Sequence, residues 1–267
     1  QCTACALIYL WPQPANLVST YQMDYYHERS IFTATPLNAF LHNRYLKQLE
    51  SFVPASHRRL LDIGCGTGYF LDIARGRGWQ VEGVDISPEA VQYARSHYRL
   101  TVHQGDAFQL PPCGDTYDAI TFWDVLEHLP NSLEQLFQAH QLLKPDGVLA
   151  LSTPNVNGLS TRLAGRGSGI FNPYEHLYYF SLRTLRELLV KAGFRMLRCT
   201  TQTIYMRNIA SLLSGTRGQQ TQQNRTRYHA LYNALQGRWA LYGIRLVNVI
   251  LRMGAWGDQI VAFARRS

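Results

Sequence analysis

The spacing of hydrophobic positions changes character along the chain. Between residues 37 and 52, Leu37, Phe40, Leu41, Tyr45, Leu46 and Leu49 recur three and four apart, which predicts an amphipathic helix. From residue 59 onward, short apolar runs alternate with helical repeats. Arg59–Ile63, Gln80–Asp85, Leu100–Gln104, Tyr117–Phe122 and Val148–Ser152 predict strands. Tyr69–Arg77, Pro88–His97 and Leu133–Leu143 predict the helices between them, with Ser87 as a cap ahead of Pro88. The last of these helices is expected to close on a Lys144-Pro145-Asp146-Gly147 turn. Strands alternating with helices imply right-handed crossovers and an α/β fold whose parallel sheet is covered on both faces.

Beyond residue 153 the pattern loosens. Residues 154–176 are rich in Pro, Asn, Gly and Ser and predict a long loop, a feature that tends to be functional in compact domains. Ser181–Ala192 predicts a capped helix stopped by Gly193, and Phe194–Thr203 and Gln259–Ala264 predict two further strands. Residues 205–256 read as an insertion, polar over 216–228 and then an apolar helix over 228–253. On that helix Arg238, Arg245 and Arg252 are seven apart and share a stripe. Such a helix suits a peripheral membrane surface, a homodimer contact or a cap over a pocket. Residues 1–35 are rich in Tyr and Pro and have no clear period.

Composition narrows the setting. The length of 267 residues fits one large domain, or one domain with additions, and no apolar run is long enough to span a bilayer. The formal charge of +8 is unevenly distributed. Residues 1–150 carry 10 Lys/Arg against 15 Asp/Glu, whereas residues 151–267 carry 16 against 3. The basic half points either to an anionic partner or to solubility alone. Five cysteines at scattered spacings argue against a disulfide scaffold and for a reducing, cytoplasmic setting, with membrane association left open. The chain opens on Gln1 rather than Met, as a trimmed piece of a longer protein would.

The densest chemistry lies in Leu60-Leu61-Asp62-Ile63-Gly64-Cys65-Gly66-Thr67-Gly68, where a strand turns into a helix. Glycines at such a turn let the backbone approach a ligand closely. Dinucleotide binding wants G-x-G-x-x-G; here the glycines fall at 64, 66 and 68, and the third dinucleotide position is Tyr69. The acidic residue ahead of the loop suits a cationic ligand better than a pyrophosphate. Asp85 ends the second predicted strand, where a carboxylate accepts both hydroxyls of a ribose. Asp106 follows the third, within reach of an adenine amino group, and Phe122-Trp123-Asp124 follows the fourth. All of these sit at carboxyl ends of strands, where open α/β sheets bind ligands.

Over residues 57–203 and 257–265 this arrangement resembles the class I S-adenosylmethionine-dependent methyltransferases. The resemblance implies a Rossmann-like, seven-stranded, mostly parallel sheet of order 3-2-1-4-5-7-6 with strand 7 antiparallel. It also implies S-adenosylmethionine as cofactor, bound by Asp62, Gly64, Cys65, Gly66, Gly68, Asp85, Ile86, Asp106, Ala107, Phe122 and Trp123. Cys65 reads as a small buried filler rather than a nucleophile, Trp123 as core or cofactor contact, and His128 as a structural histidine. Residues 172–194, Asn-Pro-Tyr-Glu-His-Leu-Tyr-Tyr-Phe-Ser and onward, resemble a bacterial subgroup related to ubiquinone-type O-methyltransferases. His176 is then the first candidate for a general base, or for a residue that positions the acceptor; Glu175 and Tyr178 are weaker candidates. Cys2-x-x-Cys5 resembles half of an N-terminal zinc ribbon in the same subgroup. A structural zinc needs four ligands, so no metal site is expected within this chain. The resulting division is an N-terminal segment over 1–52, holding the half knuckle and a capping helix, and a methyltransferase domain over 53–267 with the 205–256 insertion. A small-molecule, sugar or lipid-linked acceptor is expected, methylated at a hydroxyl oxygen. A nucleic-acid substrate and a non-catalytic scaffold are the alternatives, and no nucleic-acid-binding module is evident.

Overall fold

The strand and helix signals become the elements of a computed structural model that describes residues 1–13, 35–106, 108, 110, 116–204, 251 and 254–267. The expected helix over 228–253, with Arg238, Arg245 and Arg252, lies outside the described residues, and so does Ala107. Helix α1 (Pro36–Leu49) starts where Thr35 accepts a hydrogen bond from the Asn38 N–H at 3.2 Å, with Pro36 fixing the first turn. Then come β2 (Arg59–Ile63), α2 (Tyr69–Gly76), β3 (Gln80–Asp85), α3 (Pro88–His97), β4 (Thr101–Gln104), β5 (Tyr117–Trp123), α4 (Ser132–Leu142) and β6 (Leu143–Pro154). They are followed by α5 (Leu159–Ala164), α6 (Leu182–Lys191), β8 (Phe194–Gln202) and β9 (Gln259–Arg266). A separate two-residue pair joins β1 (Ile8–Tyr9) to β7 (Tyr178–Tyr179).

The seven-stranded sheet has the order β4-β3-β2-β5-β6-β9-β8, the expected topology. Its first five strands are parallel, and β9 runs antiparallel to both β6 and β8. Alternation along each strand sends side chains into two cores. On one face Ile63, Ile120, Phe122 and Leu149 pack beneath Leu136 of α4 and Leu185 of α6. On the other, Leu60, Ala119, Val148 and Phe263 pack beneath Leu46 of α1, Leu71 of α2 and Val91 of α3. Each large side chain so buried contributes about 1.5–3 kcal/mol. Helix α1 is thus part of the sheet's cover, with Leu46 and Leu49 fully buried.

Three details differ from the sequence reading. The expected loop over 154–176 contains α5 and a 3-10 turn at Gly165–Gly167. It is pinned from the far end of the chain: Asp258 accepts from the Ser160 N–H at 3.1 Å and from the Ser160 hydroxyl, and Asn155 donates to the Gly257 carbonyl at 2.7 Å. The Lys144–Gly147 turn is an interruption inside β6, with Asp146 at φ 63° and a register shift where β5 passes it. The β1–β7 pair was not foreseen, because two-residue strands carry no period.

Candidate active site

The carboxyl ends of β2, β3, β4 and β5 meet along one edge of the sheet. The loop after β2 needs glycine for two reasons. Gly64 has φ 71°, and a Cβ there would lie 2.4 Å from Val125 Cγ2; Gly68 has φ 84°, and a Cβ there would lie 2.6 Å from Leu100 Cδ1. Cys65 is buried, with its sulfur against Gly83. Burial first, then the charges of Asp85 and Asp62, push its thiol well above the usual range, so it is no nucleophile.

Asp85 is buried at the end of β3 and accepts the Gly66 N–H at 2.7 Å and the Ser87 N–H at 2.9 Å, which fixes both carboxylate oxygens and the glycine loop together. Ile86 beside it is half-buried. Asp106 follows β4 and accepts the Phe108 N–H at 3.0 Å. Asp62 is 2% exposed, and Thr121, its ladder partner on β5, donates to it at 2.6 Å. Burial chiefly, opposed by that hydrogen bond and reinforced by the Asp85 charge, pushes its carboxyl up to about 8.

Strand β5 separates two residues that the sequence reading grouped. Trp123 turns to the face of α1 and α2, stacking on Tyr45 at 4.6 Å and meeting Phe70 edge-on at 5.3 Å. Phe122 points the other way and is fully buried in the opposite core, so its side chain is withdrawn from the cofactor set. The physical reason is the two-residue period of a strand. Asp124 follows at φ 55°, a left-handed conformation uncommon outside glycine, held by its N–H bond to the Ser152 carbonyl and by Gln259 Nε2 on its carboxylate at 3.0 Å. Gln259 in turn accepts from Tyr45 of α1 at 3.0 Å.

Asp62, Gly64, Tyr69, Phe70, Trp123 and His42 line the resulting cleft. His42 was not among the expected site residues. Its ring lies 5.7 Å from Tyr69 and 5.4 Å from Phe70, and burial lowers its pKa to about 4. A larger cavity, of about 320 Å³, opens at the amino ends of the strands among Arg58, Arg59, Gln80, Asp118 and Lys144. Ligands of open parallel sheets bind at carboxyl ends, which makes the smaller cleft the candidate site.

Next to the cleft, Leu126–His128 forms a 3-10 turn directly beyond β5, and it meets His176 from the 168–177 segment. Glu127, His128 and His176 are all buried and offer three ligand atoms within 4.8 Å of one another. His128 Nδ1 lies 2.7 Å from the Glu175 carbonyl, and His176 Nδ1 lies 2.7 Å from the Ile170 carbonyl. A carbonyl only accepts, so both Nδ1 atoms carry hydrogen and each neutral ring keeps its basic nitrogen at Nε2. One carboxylate and two such nitrogens could share a proton or hold a divalent ion. Glu175 contributes its carbonyl here, and the Tyr178 hydroxyl donates to the Pro130 carbonyl at 2.7 Å. Near the N-terminus, the Cys5 and Ala4 backbone N–H groups hold the Cys2 thiol below its usual pKa, and a structural zinc there would need two ligands besides Cys2 and Cys5.

The arrangement suits a cationic adenosyl ligand: a glycine loop in which a Cβ at Gly64 or Gly68 would strike Val125 or Leu100, a buried acid ending β3, and a buried carboxyl on β2 whose ionisation a cation would favour. Residues 37–198 match the family described as "Methyltransferase domain", and the chain belongs to that family of S-adenosylmethionine-dependent methyltransferases. Among relatives, it is 31% identical over 140 residues to a Mycolicibacterium smegmatis protein named "Probable S-adenosylmethionine-dependent methyltransferase", covering 52% of each chain. It is 35% identical over 119 residues to the ubiquinone biosynthesis O-methyltransferase of Xanthomonas campestris pv. campestris, covering 41% of this chain and 48% of that one. The chain thus spans about half the length of the curated relatives it matches. Among solved structures, a SAM dependent methyltransferase from Archaeoglobus fulgidus superposes with a TM-score of 0.58 at 19% identity, covering 90% of this chain and 99% of that one. Haemonchus contortus phosphoethanolamine N-methyltransferase 2, in complex with S-adenosyl-L-methionine, superposes at 0.54 and 19% identity, covering 90% and 59%. These two likenesses bear on the fold. No helix of the described residues is long and apolar enough to cross a membrane.

Proposed function

We propose that the protein methylates a hydroxyl oxygen of a small-molecule, sugar or lipid-linked acceptor, with the Glu127–His128–His176 cluster taking the acceptor's proton. The observation that carries this reading is the pair of histidines whose Nδ1 atoms are fixed by carbonyls beside a buried carboxylate, one turn beyond the cofactor cleft. The ubiquinone-type relatives, named as O-methyltransferases, support it. On the cofactor side we assign the ribose hydroxyls to Asp85 and the adenine amino group to Asp106. S-adenosylmethionine supplies, when bound, a methyl group already activated on a sulfonium. The residues therefore need only align the acceptor and remove one proton. His176 is the general base in this reading. Glu127, fixed by the Thr153 hydroxyl at 2.9 Å, offsets the charge that develops on the imidazole.

The test is mass spectrometry for a CH2 gain in small-molecule and lipid fractions, repeated with His176→Ala. As a lost base, the variant should lower kcat on the order of 100-fold or more with little change in KM, and the ascending limb of the pH profile near histidine's range should vanish. A raised KM with kcat intact means that His176 positions the acceptor instead. A product found only in nucleic acid overturns the acceptor class. The same three side chains support a second reading, a divalent ion that holds the acceptor oxygen. Activity lost to a chelator and restored by the metal would favour it.

A further inference from the structure

The cofactor cleft contains two polar atoms that the fold leaves unanswered. His42 Nδ1 and Trp123 Nε1 are both sealed from solvent, and neither has a hydrogen-bond partner among the described residues. Buried polar groups are costly when unpaired, so each calls for an explanation. Four other such atoms among the described residues, on Arg58, Gln135, His140 and Arg265, are scattered, whereas these two fall together in one cleft. Both residues line the same cleft and share a wall: Phe70 meets the His42 ring at 5.4 Å and the Trp123 ring at 5.3 Å. Tyr69, the first residue of α2, lines the same cleft and meets the His42 ring at 5.7 Å.

The cleft is chemically two-sided. One side presents an indole N–H and an imidazole, both suited to a group that accepts hydrogen bonds. The other presents Asp62, which accepts from Thr121 and which burial drives toward the protonated form, so a cation is welcome there. A carboxylate and an ammonium on one carbon match this pattern, and the methionyl end of S-adenosylmethionine carries both. Burial leaves the free His42 ring uncharged at neutral pH, and an arriving carboxylate supplies the partner it lacks.

We propose that His42 binds the methionyl carboxylate of the cofactor, with the Trp123 N–H beside it and Asp62 facing the ammonium. Helix α1, which precedes the strand–helix alternation, then completes the cofactor site. The inference rests on the cofactor and not on the acceptor chemistry proposed above.

Calorimetry on the whole chain tests it with three ligands: S-adenosylhomocysteine, its decarboxylated analogue, which keeps the ammonium, and methylthioadenosine, which keeps neither group. The parent should bind S-adenosylhomocysteine at least about tenfold more tightly than the decarboxylated analogue. His42→Ala should remove most of that preference while changing affinity for the other two ligands less than about twofold. His42→Gln, which restores an amide donor, should recover part of it. Equal losses on all three ligands, or no loss on any, would overturn the assignment. If His42→Ala fails to fold, the His42→Gln and parent series decides: a parent indifferent to the carboxylate also overturns it. Because no acceptor is present, failure to find a methylated product leaves this result standing, and the reverse holds too.

Discussion

The two ends of the parallel strands use the same acidic side chains in opposite ways. At the amino ends, Asp118 pairs with Lys144 at 2.9 Å, Glu82 with Arg59 at 3.2 Å, and Glu50 with Arg77. These pairs are part-exposed and complete in themselves. At the carboxyl ends, Asp85 is held by two backbone N–H groups and Asp62 by a single hydroxyl. A buried acid held by a hydroxyl, as Asp62 is, is driven toward its protonated form, and an arriving cation would favour its ionisation. A cavity of about 320 Å³ at the neutralised end is therefore a poorer candidate than the narrow cleft at the other. Volume reports room, whereas the partners of the acids report purpose.

The sharpest break in this contrast should come from Gly64→Ala. Its Cβ would collide with Val125 at a backbone angle of 71°, and cofactor affinity should fall on the order of 100-fold with a lower Tm. Adding Val125→Ala should relieve the collision but not the backbone strain, so calorimetry on the double variant should show partial recovery. Asp85→Ala comes next. It should weaken cofactor binding at least about tenfold, each charge-assisted bond being worth roughly 1.5–3 kcal/mol before losses. It should also lower the Tm of the free protein, because Gly66 and Ser87 lose their acceptor. A free-protein Tm equal to the parent's would show that the loop holds itself.

Asp62 gives a smaller, pH-dependent signature. Its carboxyl titrates near 8 when folded against an ordinary 3.8, so between those values the unfolded chain holds fewer protons than the folded one. Stability should therefore fall as pH rises through that window. His42, lowered to about 4 from 6.5, acts in the opposite sense up to pH 6.5, leaving pH 6.5–8 to Asp62 among these two. Denaturant titrations should show a loss of roughly 1 kcal/mol per pH unit there, and Asp62→Asn should flatten it. A slope unchanged in that variant removes Asp62 as its source. The least effect belongs to the amino end. Lys144→Ala should cost under about 1 kcal/mol and leave cofactor affinity unchanged, which thermal melts and calorimetry can check together.

What the sequence made legible follows from range. The buried parallel strands are near-continuous apolar runs, so the alternation of strands and helices could be read from periodicity, whereas the strand order came from the resemblance to class I methyltransferases and from no local pattern. The Glu127–His128–His176 cluster needs a contact between segments about fifty residues apart, which no local pattern encodes. Phe122 and Trp123 were grouped as neighbours, although proximity along a strand does not mean a shared face. His42 had a signal that went unread: it is a polar residue three and four positions from Tyr45 and Leu46, on the buried stripe of its helix.

One feature of the sheet bears on how the molecule is made. Strand β9 lies between β6 and β8, although both precede it and more than a hundred residues separate it from β6. A ribosome that has delivered everything through β8 has delivered two strand edges with no strand to fill the gap. Until β9 emerges, those edges are open to other chains and to chaperones, and the halves of the domain cannot lock. Premature termination before Gln259 should accordingly yield aggregates or proteolytic fragments rather than a smaller working protein, however complete the cofactor motifs upstream.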